Sequence, residues 1–259
     1  MRRRLSLIIV LLFALILTCH SLSQAQTEEP AQAVKLKPAF GFEYFSRTIK
    51  WDDDKYTSKL QSYFFTFNME FEIQEGFSLG VLLGYSLANN EGMIFRQLPF
   101  SVELGDKSIG GYLLGGEIKK SLISQENYEI GLFGQFVYSL GVKNTWDIPG
   151  LAVEGTVEGN PSWMRVSVGP VISYQGFDFF SPYLFLNFNR LWGNFKMEET
   201  IESLTGSEDK KFTGDGLFCV AVGSIFELAE SFELNGEVSL IPRKNGADLG
   251  FMFKASYSF

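Results

Sequence analysis

The sequence predicts an all-β fold, a transmembrane antiparallel up-and-down β-barrel of ten strands, on three observations. Apolar residues occupy every second position along most of the chain after residue 36. Most segments with this pattern are longer than a soluble strand of about 5–6 residues, and they match the roughly 9–11 residues of a tilted strand that crosses a bilayer. The links between segments alternate between short and long, as in barrels that have turns at one end and loops at the other.

The N-terminus is predicted to be a targeting segment, separate from the fold. Arg2, Arg3 and Arg4 precede an apolar run at 5–17, which is too short for a comfortable membrane helix. Ser23 and Ala25 place small residues where signal peptidase requires them, so we predict cleavage after Ala25. An uncleaved anchor helix and a lipoprotein linked through Cys19 are the alternatives.

Removal of residues 1–25 changes the composition of the chain. The lost residues include His20, the only histidine, and Cys19, which leaves Cys219 as the only cysteine. Of the 22 basic residues 19 remain, against 30 acidic residues. This acidic balance argues against nucleic-acid binding. Residues 26–35 are polar and contain proline, and we predict a flexible lead-in before a barrel at 36–259.

Ten segments have one apolar and one mostly polar face, because successive side chains of a strand point to opposite sides. In the second segment, for example, Tyr63, Phe65 and Phe67 alternate with Phe64, Thr66 and Asn68. The predicted strands are 37–50, 58–74, 77–88, 109–122, 128–142, 162–175, 179–191, 215–228, 231–242 and 248–259. Eight or twelve strands remain open, because 93–104 and 150–157 also contain strand-like patches.

The predicted links are short at one end and long at the other. Short turns lie at 74–76, 123–127, 176–178 and 229–230, whereas 89–108, 143–161 and 192–214 read as long polar loops. A soluble β-sandwich also alternates, but it gives no reason for strands of this length. It also does not explain aromatic residues near both strand ends, which in a barrel form two belts at the membrane interfaces. The belt residues are Tyr128, Phe179, Phe232 and Phe259 at the short turns and Tyr85, Tyr138, Trp163 and Trp192 at the long loops.

The final segment carries a family resemblance. Phe259 is a terminal aromatic residue, preceded at alternating positions by Tyr257, Phe253 and Phe251. This ending resembles the last strand of bacterial outer-membrane β-barrel proteins of the small porin-like or outer-membrane protein A type, with no specific subfamily. The resemblance implies recognition by the barrel-assembly machinery, and an outer-membrane location amid lipid and lipopolysaccharide. Both termini of the mature chain are then expected in the periplasm.

If the apolar faces contact lipid, the opposite faces line the lumen. Charged residues there avoid the cost of about 2–4 kcal/mol for a lysine or arginine facing lipid at the midplane. Phe45, Phe64, Phe133 and Phe185 also point inward and fill space, and Cys219 is assigned inward as a small residue. The predicted lumen-lining residues are Glu43, Arg47, Glu70, Glu72, Glu117, Lys119, Arg165, Glu227, Glu233, Glu237 and Lys254.

No motif in the sequence predicts an enzyme, a metal site or a cofactor. Without His20 the chain has no histidine for a serine–histidine or aspartate–histidine arrangement. Asp52, Asp53 and Asp54 are adjacent on one predicted loop, which suits a solvated acidic loop better than a calcium site.

Two roles remain. The first is a porin-like small pore or passive channel, which should prefer cations because acids exceed bases on the predicted lumen faces. The second is a non-conducting structural or surface-binding protein that acts through its long extracellular loops. The sequence leaves the oligomeric state open.

Overall fold

A computed structural model describes residues 34–52, 56–91, 93–95, 98, 102–104, 108–148 and 154–259. The predicted signal peptide, its cleavage at Ala25 and nearly all of the lead-in lie outside these residues. The described part is built of antiparallel strands. The described residues contain no helix whose length and apolar character would suffice to span a membrane.

Fourteen strands are present in the described part of the chain. They are β1 Lys35–Trp51, β2 Thr57–Gln74, β3 Phe77–Glu91, β4 Met93–Phe95, β5 Val102–Leu104, β6 Ser108–Gln125, β7 Tyr128–Gly141, β8 Asn144–Asp147, β9 Gly155–Tyr174, β10 Phe180–Ile201, β11 Leu204–Gly214, β12 Phe218–Ala229, β13 Phe232–Arg243 and β14 Gly246–Tyr257.

Ten of these strands close into a ring, which confirms the predicted barrel. Its order is β1, β2, β3, β6, β7, β9, β10, β12, β13 and β14, and β14 pairs again with β1. The patch at 93–104 forms the separate β4–β5 hairpin and adds no strand to the ring. The tight connections between β2 and β3, β6 and β7, β9 and β10, and β12 and β13 define the short-turn end. The opposite end is the long-loop end.

The outer surface of the barrel is apolar, as the alternating pattern predicts. Phe65 on β2, Val81 on β3 and Val222 on β12 are each more than half exposed, at 51%, 51% and 59%. The opposite side chains of the same strands, such as Phe64 and Leu82, are buried inside. An exposed apolar surface of this extent is stable against lipid and not against water.

The ring narrows from ten strands to eight towards the long-loop end. The β13–β14 hairpin turns back after Arg243, so it does not reach this end. Beyond it β11 continues the line of β12 along β10, and it pairs directly with β1, where Ile49 faces Gly214 and Trp51 faces Phe212. On the other side, β8 continues the line of β7 along β9. We call this eight-stranded part the neck.

Side chains satisfy the backbone where β1 changes partner from β14 to β11. The Thr48 N–H donates to Asp248 Oδ2 at 2.8 Å, and Thr48 Oγ1 donates to Asp248 Oδ1 at 2.9 Å. Arg47 Nη2 donates to the carbonyl oxygen of Gly216 at 2.6 Å. These contacts replace ladder hydrogen bonds that the fork interrupts, because buried backbone groups need partners.

Three sequence-based expectations about this end of the molecule are wrong. The segments 143–161 and 192–214 were expected to be loops, but they contain β8, the first part of β9, the end of β10 and β11. Trp163 was expected in an aromatic belt, yet it is buried at 2% exposure inside the neck. The cause is the alternation of side chains along β9, in which the odd-numbered residues from Val157 through Trp163 to Ser167 point inward.

Candidate functional site

The interior of the barrel divides into an apolar plug and a polar cavity. The plug fills the neck, and each of its eight strand lines contributes at least one buried apolar side chain. Its members are Phe45, Ile49, Trp51, Leu60, Phe64, Leu82, Ala88, Phe95, Leu98, Ile109, Leu113, Val137, Val157, Trp163, Leu191, Phe195, Met197 and Phe212.

Three aromatic rings of the plug are in mutual contact, and one of them, Phe45, also lines the cavity. Phe64 and Trp163 are stacked, with centroids 5.4 Å apart and an interplanar angle of 15°. Phe45 meets both rings edge-on, at 5.2 Å from Phe64 and 5.7 Å from Trp163. The guanidinium of Arg165 lies beneath them, 5.3 Å from the centroid of Phe45 and 5.5 Å from that of Phe64.

The cavity occupies the ten-stranded part of the barrel and has a volume of about 620 Å³. Its lining extends from Lys35 and Ser121, at the short-turn end, to Arg47 and Leu191 beside the plug. Small-molecule sites in proteins typically span roughly 300–1,000 Å³. The cavity is therefore large enough for a small ligand.

Ten of the eleven predicted lumen residues line this cavity: Glu43, Arg47, Glu70, Glu72, Glu117, Lys119, Arg165, Glu233, Glu237 and Lys254. Glu227 does not. It is exposed at the end of β12, beside a β-bulge between Glu227 and Ala229. Cys219 is buried and lines the cavity, as its alternating position predicts.

Most of the charged groups in the cavity are paired across its wall. Lys119 Nζ lies 2.5 Å from Glu70 Oε2, and Lys254 Nζ lies 3.2 Å from Glu117 Oε2. In these pairs each charge is compensated by its partner inside the barrel, where an unpaired ion is costly. Two further pairs, Lys37 with Glu233 at 2.5 Å and Lys35 with Glu72 at 3.5 Å, lie nearer the short-turn end.

The deepest pair joins Arg165 and Glu43 in a two-pronged contact. Arg165 Nη1 donates to Glu43 Oε1, and Arg165 Nη2 donates to Glu43 Oε2 at 2.8 Å. Nη2 also donates to Gln135 Oε1 at 2.9 Å. Bidentate pairing of this kind fixes geometry as well as charge.

Sequence reasoning missed several residues of the cavity. Tyr183 lies on the same face of β10 as Phe185, two residues away, and its hydroxyl contacts Glu237. The alternation that predicts an inward Phe185 also predicts an inward Tyr183, two residues earlier on the same strand. Among the described residues, no group of three or more histidine, cysteine, aspartate or glutamate side chains could hold a metal ion.

The fold is similar to that of solved outer-membrane proteins. The outer membrane protease OmpT from Escherichia coli matches with a TM-score of 0.52 and 12% identity, over 91% of this chain and 99% of that chain. A major outer membrane protein from Thermus thermophilus gives 0.40 and 8%, over 88% of this chain and 100% of that chain. An outer membrane channel from Pseudomonas putida F1 gives 0.38 and 12%, over 90% and 100%.

No family profile matches the sequence, and no curated protein matches it. The fold is thus that of bacterial outer-membrane β-barrel proteins, with no subfamily assigned. At 12% identity, the likeness to OmpT is one of fold alone.

Proposed function

We propose that this protein is an integral outer-membrane β-barrel that does not conduct solutes. It acts as a structural or surface-binding protein through its long-loop end. The observation that carries the proposal is the apolar plug in the neck, to which every strand line of the neck contributes. An eight-stranded barrel is just wide enough for side chains to fill, so a packed neck leaves no room for a water path.

The location follows from the exterior and the chain ends. The exposed apolar surface requires lipid, and the barrel fold is that of outer-membrane proteins. The first strand begins and the last strand ends at the short-turn end, where the Phe259 N–H donates to the carbonyl oxygen of Leu36 at 3.2 Å. Short turns face the periplasm in such barrels, and this supports an orientation with the extended strands β8–β11 at the cell surface, near lipopolysaccharide.

A porin-like channel needs a continuous polar path from one end to the other. The ten-stranded part offers a charged cavity, but the neck is filled by the plug, in which Phe64 and Trp163 are stacked and buried. The proposal includes no catalytic role, because the only histidine of the sequence is His20 in the predicted signal peptide.

Single-channel recording in a planar bilayer tests the proposal. The protein is extracted from the outer membrane after expression of the full chain, and folding is checked by heat-sensitive gel mobility. We expect no stable conductance steps from the wild type. The double substitution Phe64→Ala and Trp163→Ala should produce steps, because it removes the stacked pair of rings from the plug that fills the neck.

The matched control is Phe133→Ala, which removes a ring from the cavity wall and leaves the plug intact. This variant should stay silent. Stable, cation-selective steps from the wild type would instead establish the porin-like channel and overturn the proposal.

A further inference from the structure

Two carboxylates of the cavity lining, Glu129 and Glu237, form no ion pair with any side chain that the structure describes, and Glu129 accepts a hydrogen bond from Gln175 at 2.7 Å. Glu43, Glu70, Glu117 and Glu233 each form an ion pair within 4 Å. Glu237 is half-buried in the same cavity. A buried charge that the fold leaves unpaired is available to a ligand of opposite charge.

The hydrogen bonds around Glu237 leave an excess of acceptors. Tyr183 Oη lies 2.9 Å from Glu237 Oε2 and 3.0 Å from Asn235 Oδ1. A tyrosine hydroxyl has a single proton, so it cannot donate to both oxygens at once. A ligand that brings additional N–H donors would satisfy the remaining acceptor.

The backbone is shaped to hold Tyr183 in this position. Its ring crosses Gly223 on β12, and a Cβ atom at Gly223 would lie 2.4 Å from Tyr183 Cζ. Only glycine therefore lets the ring lie against the wall and present its hydroxyl to β13. The acceptor group is consequently fixed in place before any ligand enters.

An aromatic wall adjoins the carboxylate. Phe185 follows Tyr183 on the same face of β10, and Phe133 on β7 meets Phe185 edge-on with centroids 5.3 Å apart. Val171 and Ile225 extend this apolar side of the cavity, while eight of the ten residues in the ion pairs lie on β1, β2, β6 and β14; the other two are Arg165 on β9 and Glu233 on β13. Aromatic faces attract cations, and they also bury the apolar body of an organic molecule.

We propose that the cavity binds a small organic cation, with an ammonium group on Glu237 and an apolar body against Phe133 and Phe185. The ligand enters from the short-turn end, to which the cavity lining extends at Lys35 and Ser121. The proposal is independent of the assignment as a non-conducting barrel, because binding on this side of the plug needs no passage through the neck.

Isothermal titration of the purified, detergent-solubilised protein with three matched probes tests the site. Phenethylammonium supplies the cation, while phenylacetate and 2-phenylethanol carry the same ring with a negative or no charge. We expect phenethylammonium to bind at least tenfold more tightly than either. A preference for phenylacetate would overturn the proposal and point to Arg47, whose Nε and Nη1 have no hydrogen-bond partner among the described residues.

Substitutions identify the residue that holds the charge. Glu237→Gln keeps the size and one acceptor, and should weaken phenethylammonium about 10- to 100-fold, the loss of a charged hydrogen bond. The control is Glu129→Gln, a carboxylate of the cavity lining whose Oε2 accepts a hydrogen bond from Gln175 at 2.7 Å. It should leave binding unchanged. Equal binding by the wild type and Glu237→Gln would refute the site, since Glu237 would then be a proton-bearing structural group.

Two further variants keep the test decisive if Glu237→Gln fails to fold. Tyr183→Phe removes the hydroxyl but keeps the ring, and should retain phenethylammonium binding because Glu237 stays in place. Phe185→Leu keeps apolar volume but removes a ring from the surface on which the apolar body lies, and should weaken phenethylammonium several-fold. Loss of binding by Tyr183→Phe with none by Phe185→Leu would exclude this placement of the ligand.

Discussion

Arg165 joins the two chemical halves of the barrel interior. Its guanidinium forms a bidentate pair with Glu43 on the cavity side and lies against Phe45 and Phe64 on the plug side. Both partners are needed, because a guanidinium beneath an aromatic plug has little water to solvate it. Arg165 therefore connects the ion pairs of the cavity to the aromatic rings of the plug through direct contacts.

The coupling between Glu43 and Arg165 predicts a non-additive pair of substitutions. Glu43→Gln and Arg165→Met should each reduce the free energy of unfolding by about 3–5 kcal/mol, because each leaves a buried group uncompensated. The double variant should lose at least about 1 kcal/mol less than the sum of the two single losses. Urea titration of the protein in lipid vesicles measures all three. Strictly additive losses would contradict the pairing.

Single positions differ in how far the sequence reveals them. The inward direction of Glu70, Glu117 and Lys254 follows from local alternation, and all three residues line the cavity. The partner of each does not, because Lys254 and Glu117 are 137 residues apart and meet only across the closed ring. The sequence likewise does not predict that Glu237 lacks a basic partner, since this depends on which side chains face it from distant strands.

At the scale of elements, the early end of the β13–β14 hairpin determines the neck. Because the hairpin turns back after Arg243, β11 can reach β1 and close a smaller ring. The connection between β11 and β12 sits at this fork, where the Asp215 N–H donates to the carbonyl oxygen of Thr48 at 2.8 Å. Lys50 Nζ donates to Asp215 Oδ1 at 2.6 Å beside it.

The pairing of Lys50 with Asp215 predicts a pH dependence at the fork. The hydrogen bond from Lys50 lowers the pKa of Asp215 below its ordinary value. A lowered carboxyl pKa contributes stability at neutral pH, and that contribution disappears as the pH falls through the folded-state value. Asp215→Asn should therefore cost under about 1 kcal/mol at neutral pH, because the pair is partly exposed.

The measurement for this pair compares unfolding of wild type and Asp215→Asn at pH 7 with unfolding well below about pH 3.9, the ordinary aspartate pKa. The two proteins should become equally stable in acid. Lys50→Met, which removes the same pair from the other side, is the matched variant and should show the same convergence. A difference that stays constant with pH would remove Asp215 from this role.

Local sequence predicts the ten barrel strands well and the outer extension poorly. Phe195 and Met197 alternate with polar residues as strand residues do, but they follow a tryptophan that marks the expected membrane boundary. The start of β9 contains Gly159 and Pro161, which disfavour a strand assignment. These segments are strands because they pair with each other, as at Phe195 and Pro161. The neck itself depends on pairing of β1 with β11, which no local pattern indicates.

On the scale of the whole molecule, the barrel is apolar outside, packed at one end and polar at the other. The last strand contributes Phe251, Phe253 and Tyr257 to the outer surface, and Phe259 extends beyond it at 79% exposure. The ring of Phe259 contacts only Tyr257 among the ring pairs, with centroids 4.9 Å apart. The terminal residue therefore contributes little to the packing of the folded barrel.

Substitution of Phe259 separates assembly from stability. We expect Phe259→Ala to reduce the amount of folded protein in the outer membrane of cells, because a terminal aromatic residue is the expected signal for the assembly machinery. The same variant should refold in detergent with nearly wild-type stability, since the side chain is exposed. Heat-sensitive mobility measures both. Leu249→Ala, on the same face but far from the terminus, is the control. Equal loss in cells and in detergent would argue against a signal.

The ladder that closes the ring has a kinetic consequence. β1 pairs with β14 only from Ala39 to Phe45, a shorter ladder than any other in the ring. It also joins the two ends of the sequence, so its formation restrains nearly the whole chain at once, at a large entropic cost. We therefore expect closure at this seam to be a late step in folding. Until β14 is in place, the part of β1 from Ala39 to Phe45 has no partner on this side, even where β11 already pairs with Ile49 to Trp51.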